Sequence, residues 1–165
     1  MIRKMTVDDI KDVQQIALTS WQYMFGEYIP EEVIQSFIER TYSDLMLKKQ
    51  IEKTTVLLAI DSQEQTVGYL SYTPIDVDGE SEVTALHMLP SHLNCGYEEL
   101  LLTEALQSLS TAQNVDVYVD ERSRDLQEFY SKNGFVLVES FQEEFEGIPV
   151  ETIHYSLPIK QHAHS

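Results

Sequence analysis

Apolar residues recur every three to four positions in the first third of the chain, and in shorter β-branched and aliphatic runs bounded by turn residues beyond it. Ile10, Val13, Ile16, Ala17, Trp21 and Met24 mark one helical face. Thr6 is its N-cap, and Asp8 and Asp9 fall in the first turn, where the helix dipole favours acid. Gly26 closes this helix, and Pro30 opens a second that carries Val33, Ile34, Phe37 and Ile38. A third helical piece runs from Ser43 to about Lys53. Thr55–Asp61 and Thr66–Thr73 then form a hairpin, and Glu80–Met88 makes a third strand after the turn-prone Asp76–Gly79. A Pro-containing loop narrows to Gly96 and leads into a Leu-rich helix, about Tyr97–Ser110. Strand Val115–Val119 and a short helix Ser123–Asn133, stopped by Gly134, come next. Phe135–Phe145 and Val150–Leu157 pair around Glu146–Gly147.

The order predicts a single mixed α/β domain over residues 1–158, with 159–165 as a flexible C-terminal tail. At 165 residues the chain is long enough to bury roughly 70% of its unfolded surface. Charge narrows the partners: a net −17 argues against nucleic acid and against an anionic membrane surface. It suits a soluble protein and a cationic small substrate or basic peptide. No Lys or Arg occurs between Lys53 and Arg122, while acids recur throughout. The single cysteine, Cys95, excludes an internal disulfide, and no run approaches the roughly 20 apolar residues of a membrane span. A cytoplasmic location follows as the expectation. Cys95 precedes a helix, which lowers a thiol pKa, but His92 is merely nearby and no Cys–His nucleophile is legible. His162 and His164 belong to the tail, and no metal site is expected.

Four segments, in order, carry a resemblance. IRKMTVDDIKDVQQIALTSW opens the chain, VGYLSYT lies in the hairpin, LHMLPSHLNCGYEELLLTEAL spans the loop, and FYSKNGF covers Phe129–Phe135. Together they resemble the GNAT N-acetyltransferase superfamily from Ile2 to about Leu157, and FYSKNGF is the most specific match. The resemblance implies the GNAT acyl-CoA N-acyltransferase fold (α+β), a central mixed, mostly antiparallel sheet flanked by helices. It also implies acetyl-CoA as co-substrate and an amine as acceptor. Main-chain groups of Leu86, His87 and Met88 would pair with the pantetheine arm.

The loop departs from the family. Its pattern, Arg/Gln-x-x-Gly-x-Gly/Ala, falls on Leu93, Asn94, Cys95, Gly96, Tyr97 and Glu98, and only Gly96 is kept. A helix N-terminus offers bare N–H groups to phosphate. A Glu98 carboxylate about 5 Å from a phosphate charge costs roughly 3 kcal/mol at an effective dielectric of about 20. Arg122, Arg124 and Lys132 flank the later short helix, where they either reach the adenosine phosphates or line an ordinary solvated face. Ser123 stands where the family often has an Asn that contacts the cofactor.

The remaining site residues also come from the resemblance. Tyr130 aligns with the tyrosine that protonates the departing thiolate. Glu82 lies where some members carry a general base, and strict alternation would set it on one face with Thr84, Leu86 and Met88. Trp21, Phe25 and Tyr28, in an aromatic group with Tyr23, fall where members shape the acceptor pocket, beside Glu27, Glu31 and Glu32. The function expected is acetyl transfer from acetyl-CoA to a primary amine of a small molecule or peptide, such as a cationic polyamine. The alternative is a GNAT-fold binding or regulatory module that has lost acetyl-CoA binding. A weaker third is a different acyl donor accepted by the reshaped loop. The apolar surface of the first helix leaves a homodimer open.

Overall fold

The computed structural model describes residues 1–159; of the tail expected at 159–165, everything from Lys160 on lies outside the described residues. Strand β1 (Ile2–Lys4) is followed by α1 (Ile10–Phe25), α2 (Glu31–Thr41) and α3 (Asp44–Lys53). Then come β2 (Thr55–Ile60), β3 (Thr66–Tyr72), β4 (Glu80–Met88), α4 (Tyr97–Ser108), β5 (Asn114–Asp120), α5 (Arg124–Lys132), β6 (Val136–Phe145) and β7 (Ile148–Pro158). The seven strands form a mixed, mostly antiparallel sheet, with β4–β5 as its parallel pair. The Leu-rich helix stops at Ser108, two residues short of the expected end, because Leu109–Ala112 closes into a turn instead, Ala112 N–H bonding the Leu109 carbonyl at 3.0 Å with both residues buried.

The chain forms two compact units, each built from two stretches of sequence. The first takes Met1–Pro74 and Ala85–Gln107. Its start is fixed by a capping box: Thr6 accepts from Asp8 N–H, and Asp9 accepts from Thr6 N–H at 2.8 Å while Arg3 grips the same carboxylate at 2.8 and 2.9 Å. The periodic face of α1 buries Val13, Ile16 and Ala17 fully, as do Ile34 of α2, Leu58 of β2, Leu70 of β3, and Leu101 and Leu102 of α4. Gly68 has a packing reason. A Cβ there would lie 2.0 Å from Met88 Sδ and 2.9 Å from the His87 carbonyl, so only glycine lets the two backbones approach.

The second unit takes Ile75–Thr84 and, among the described residues, the chain from Ser108 to Ile159. Val115, Val117 and Val119 of β5 point into its core with Tyr130, Phe135 and Tyr155. Asp116 and Tyr118 alternate with them toward the other face. The β6–β7 hairpin turns at Glu146–Gly147, as expected. Among the described residues no helix is long and apolar enough to cross a membrane.

One expectation about β4 needs correction. Burial falls on Ser81 and Val83, then on Leu86 and Met88, so the alternation slips by one residue between Val83 and Leu86. A slip of one residue turns the following side chains to the opposite face. The strict alternation expected from Glu82 through Thr84 to Leu86 and Met88 is therefore not kept, and Glu82 itself is half buried between the buried Ser81 and Val83.

Candidate active site

The loop after β4 is built on tight turns. Leu89 N–H bonds the Val67 carbonyl at 2.8 Å, and Pro90–His92 make one short helical turn. Asn94 and Gly96 take φ of +60° and +91°. Asn tolerates that region and Gly enters it without strain. Nothing stands within 4 Å of where a Gly96 Cβ would be, so the backbone there is open to a close visitor. Leu100 N–H gives the first bond of α4, to the Gly96 carbonyl at 3.2 Å, so the amides of Tyr97 and Glu98 precede the ladder. This backbone suits an anion.

The Glu98 side chain answers it from within. Its carboxylate turns back over the loop, Oε2 accepting from Asn94 N–H at 3.4 Å, and Oε1 is buried without a hydrogen-bond partner. Cys95 is exposed, its thiol directed to the Leu93 carbonyl at 3.5 Å. His92 is engaged elsewhere: Nδ1 lies 2.8 Å from Ser91 Oγ and Nε2 3.4 Å from Asp61 Oδ2.

On β4, Leu86 and Met88 are core residues, and His87 faces an aromatic cluster. Its Nδ1 is 2.8 Å from Ser20 Oγ, and its ring centroid lies 5.5 Å from Tyr69 and 6.4 Å from Trp21. Trp21 packs on Phe25 and Phe37, each at 4.7 Å. Of the expected acceptor residues, Trp21 and Phe25 are thus together, with Phe25 buried, whereas Tyr28 is half exposed at the surface. Glu31, one of the acids beside them, accepts from Gln22 and Gln35, which lowers its pKa.

Burial pushes the His87 pKa down to about 4. A histidine in the unfolded chain titrates near 6.5, so on acidification the unfolded state binds the proton first. Above that pH both states are neutral and no stability is lost; between about 6.5 and 4 the fold loses stability, on the order of 2–3 kcal/mol at the lower end. Thermal unfolding of wild type and His87→Gln at pH 7.5 and 4.5 should show a larger acid loss for wild type. Equal losses would contradict the assignment.

In the second unit Tyr130 is buried on α5, edge-on to Phe129 at 5.3 Å and Phe135 at 5.1 Å. Burial raises its pKa further above the ordinary phenol value, so the hydroxyl keeps its proton. Ser123 precedes α5 without capping it through its side chain. Arg122 is clamped by Asp120 through Nε at 3.0 Å and Nη2 at 2.8 Å, which limits its reach as a phosphate ligand. Glu82 is half buried; burial first, then the Asp116 charge, raises its pKa, and His154 lowers it.

The profile of the acetyltransferase (GNAT) domain matches residues 25–156. The chain belongs to the GNAT acetyltransferase family. A spermidine N(1)-acetyltransferase of Thermoplasma acidophilum is 25% identical over 141 residues, covering 81% of this chain and 86% of the relative. Among solved structures, the PaiA N-acetyltransferase of T. acidophilum in complex with coenzyme A superposes with a TM-score of 0.80 at 22% identity, covering 96% of this chain and 98% of that one. A spermidine N-acetyltransferase SpeG chimera from Vibrio cholerae and hSSAT gives 0.72 at 18% identity, covering 96% and 94%.

Several groups in this GNAT chain escaped the sequence reading. Phe37, one of the apolar residues carried by α2, is only partly buried and lies against Trp21. Ser20 and Tyr69 carried no local signal for their contacts with His87. Asp116 and His154 lie 38 residues apart and meet only through the β5–β7 register.

Proposed function

We propose that this GNAT protein is an acetyl-CoA-dependent N-acetyltransferase acting on a primary amine, with a cationic acceptor such as a polyamine as the preferred class. Tyr130 carries the proposal, a buried phenol that holds its proton. Glu82 would take a proton from the acceptor's ammonium, freeing the nitrogen lone pair that forms the new C–N bond. Main-chain N–H groups of Leu86–Met88 would hold the carbonyl oxygen as charge builds on it. Tyr130 would supply the proton for the sulfur as the C–S bond breaks, and the second proton, shed by the nitrogen as it becomes the amide, would restore the Tyr130 phenol through solvent. The open backbone at Gly96, with the Tyr97 and Glu98 amides, fits a pyrophosphate. The Glu98 carboxylate opposes it. Trp21 and Phe25 would border the acceptor, with Tyr28 at its margin, and Asn94, Cys95 and Ser123 the cofactor.

The acidity of the chain, −17 net, favours a cationic acceptor, and one relative is a spermidine acetyltransferase. A single cysteine suits a cytoplasmic setting. The direct test follows thiol release from acetyl-CoA with spermidine, spermine and a lysine peptide, together with calorimetric titration of acetyl-CoA. Acetylated polyamine in step with released thiol is the expected result. No binding and no release at millimolar acetyl-CoA would favour the second reading, a binding module. The carboxylate folded onto the Asn94 amide is the observation behind that alternative.

A further inference from the structure

We propose that Asp116 and His154 form a positioning pair for Glu82, fixing the charge around the proton acceptor on the polar face shared by β4, β5 and β7. The proposal rests on the N-acetyltransferase reading above. All three residues belong to the second unit.

The register brings them together. Glu82 on β4 lies directly beside Asp116 on β5 in the parallel ladder. From β7, His154 reaches Asp116, Nε2 to Oδ1 at 2.8 Å. Tyr118 stacks on the imidazole with centroids 4.4 Å apart and planes 17° apart, and Phe141 of β6 meets Tyr118 edge-on at 6.4 Å. The ring is thus held on its face and at one nitrogen. The other nitrogen, Nδ1, stands 4.0 Å from Glu139 Oε2 on β6. Glu80 completes the group by sharing a hydrogen bond with Asp116.

The arrangement is a poor device for stability. Carboxylates directly side by side on neighbouring strands repel, and half-burial strengthens the repulsion. A neutral pair would fold better. Glu82 and Asp116 are instead set side by side, Glu80 bonds to Asp116, and the His154 imidazole stands between Asp116 and Glu139. Asp116 raises the proton affinity of Glu82 and His154 lowers it. Burial raises it most, and the opposing charges of Asp116 and His154 tune the proton acceptor on top of that. Among the described residues no group of three or more His, Cys, Asp and Glu is set to hold a metal ion.

The test combines carboxyl NMR titration of Glu82 with the pH profile of kcat/KM for acetyl transfer, in wild type, His154→Gln, His154→Asn and Glu82→Gln. In either His154 variant the Glu82 midpoint should rise by about one unit and the acid limb should move with it. Activity one unit below the limb should then fall up to about tenfold, with acetyl-CoA affinity unchanged. Over Glu82→Gln, the His154 substitution should add nothing. A fixed midpoint, or an equal loss at every pH, overturns the pairing. Should both variants fail to fold, the titrations of Glu82 and His154 in wild type must still depend on each other, and independent curves overturn it. Transfer with an unmoved midpoint defeats this inference alone. Absence of transfer in wild type defeats the enzyme reading, and the positioning role with it.

Discussion

Glu98→Gly should tighten acetyl-CoA binding by about two orders of magnitude. A carboxylate about 5 Å from a phosphate charge costs roughly 3 kcal/mol at an effective dielectric of about 20. Glu98 does not escape by pointing into solvent: one oxygen accepts from the Asn94 amide and the other is buried. A pyrophosphate on this loop therefore either meets that charge or displaces it from the amide. Glycine removes the charge and leaves the Tyr97 and residue-98 amides available. The change has a cost to the helix, since an acid in the first turn contributes about 0.3–1 kcal/mol and glycine is a poorer helix former. Slightly lower thermal stability together with tighter binding is thus the signature, read by calorimetry and thermal unfolding on the same sample. Glu98→Gln should recover most of the gain, because it removes charge and keeps shape. Unchanged or weaker binding in both variants would exclude Glu98 as the obstacle.

Tyr130→Phe should lower kcat by about 10²–10⁴ while acetyl-CoA affinity stays within twofold or so, the range expected when a general acid is removed. Phenylalanine keeps the ring that Phe129 and Phe135 pack against, so the loss is one hydroxyl and not the core. Desolvation raises the phenol pKa, and the same surroundings would raise that of a thiolate, which keeps proton transfer between them practicable. The loss should be nearly constant from pH 6 to 9, because Tyr130 holds its proton throughout. Stopped-time assays of thiol release across that range give the answer. A kcat close to wild type would remove Tyr130 from the chemistry.

Element order was legible because each element carries a local cause. Thr6 and Asp9 cap, Gly26 stops α1, Ser43 caps α3, and the aliphatic runs at β2, β3 and β5 have turn residues at both ends. The β4 slip was not legible. Ser81, Val83, Leu86 and Met88 read as an ordinary strand until their burial is known. Side-chain direction at Glu98 was equally hidden, since the sequence supplies an acid in a first turn without saying whether it faces solvent or the loop. The Asp116–His154 contact depends on strand register over a long separation, which no local pattern encodes. Tyr130 is proposed from the motif alone; the aromatic contacts around it come from Phe129 and Phe135 within the same motif.

The interleaving of the two units bears on how the chain acquires its structure. The first unit needs Ala85–Gln107, which is synthesised only after Ile75–Thr84, a stretch that belongs to the second. Until then β3 emerges with its Gly68 edge unpaired, because Met88 and the β4 backbone that cover it have not been made. Such an edge is a template for pairing with other chains. Neither unit can therefore finish folding during translation before α4 has left the ribosome, and for that interval a nascent chain rich in acid is kept from its neighbours chiefly by its own charge.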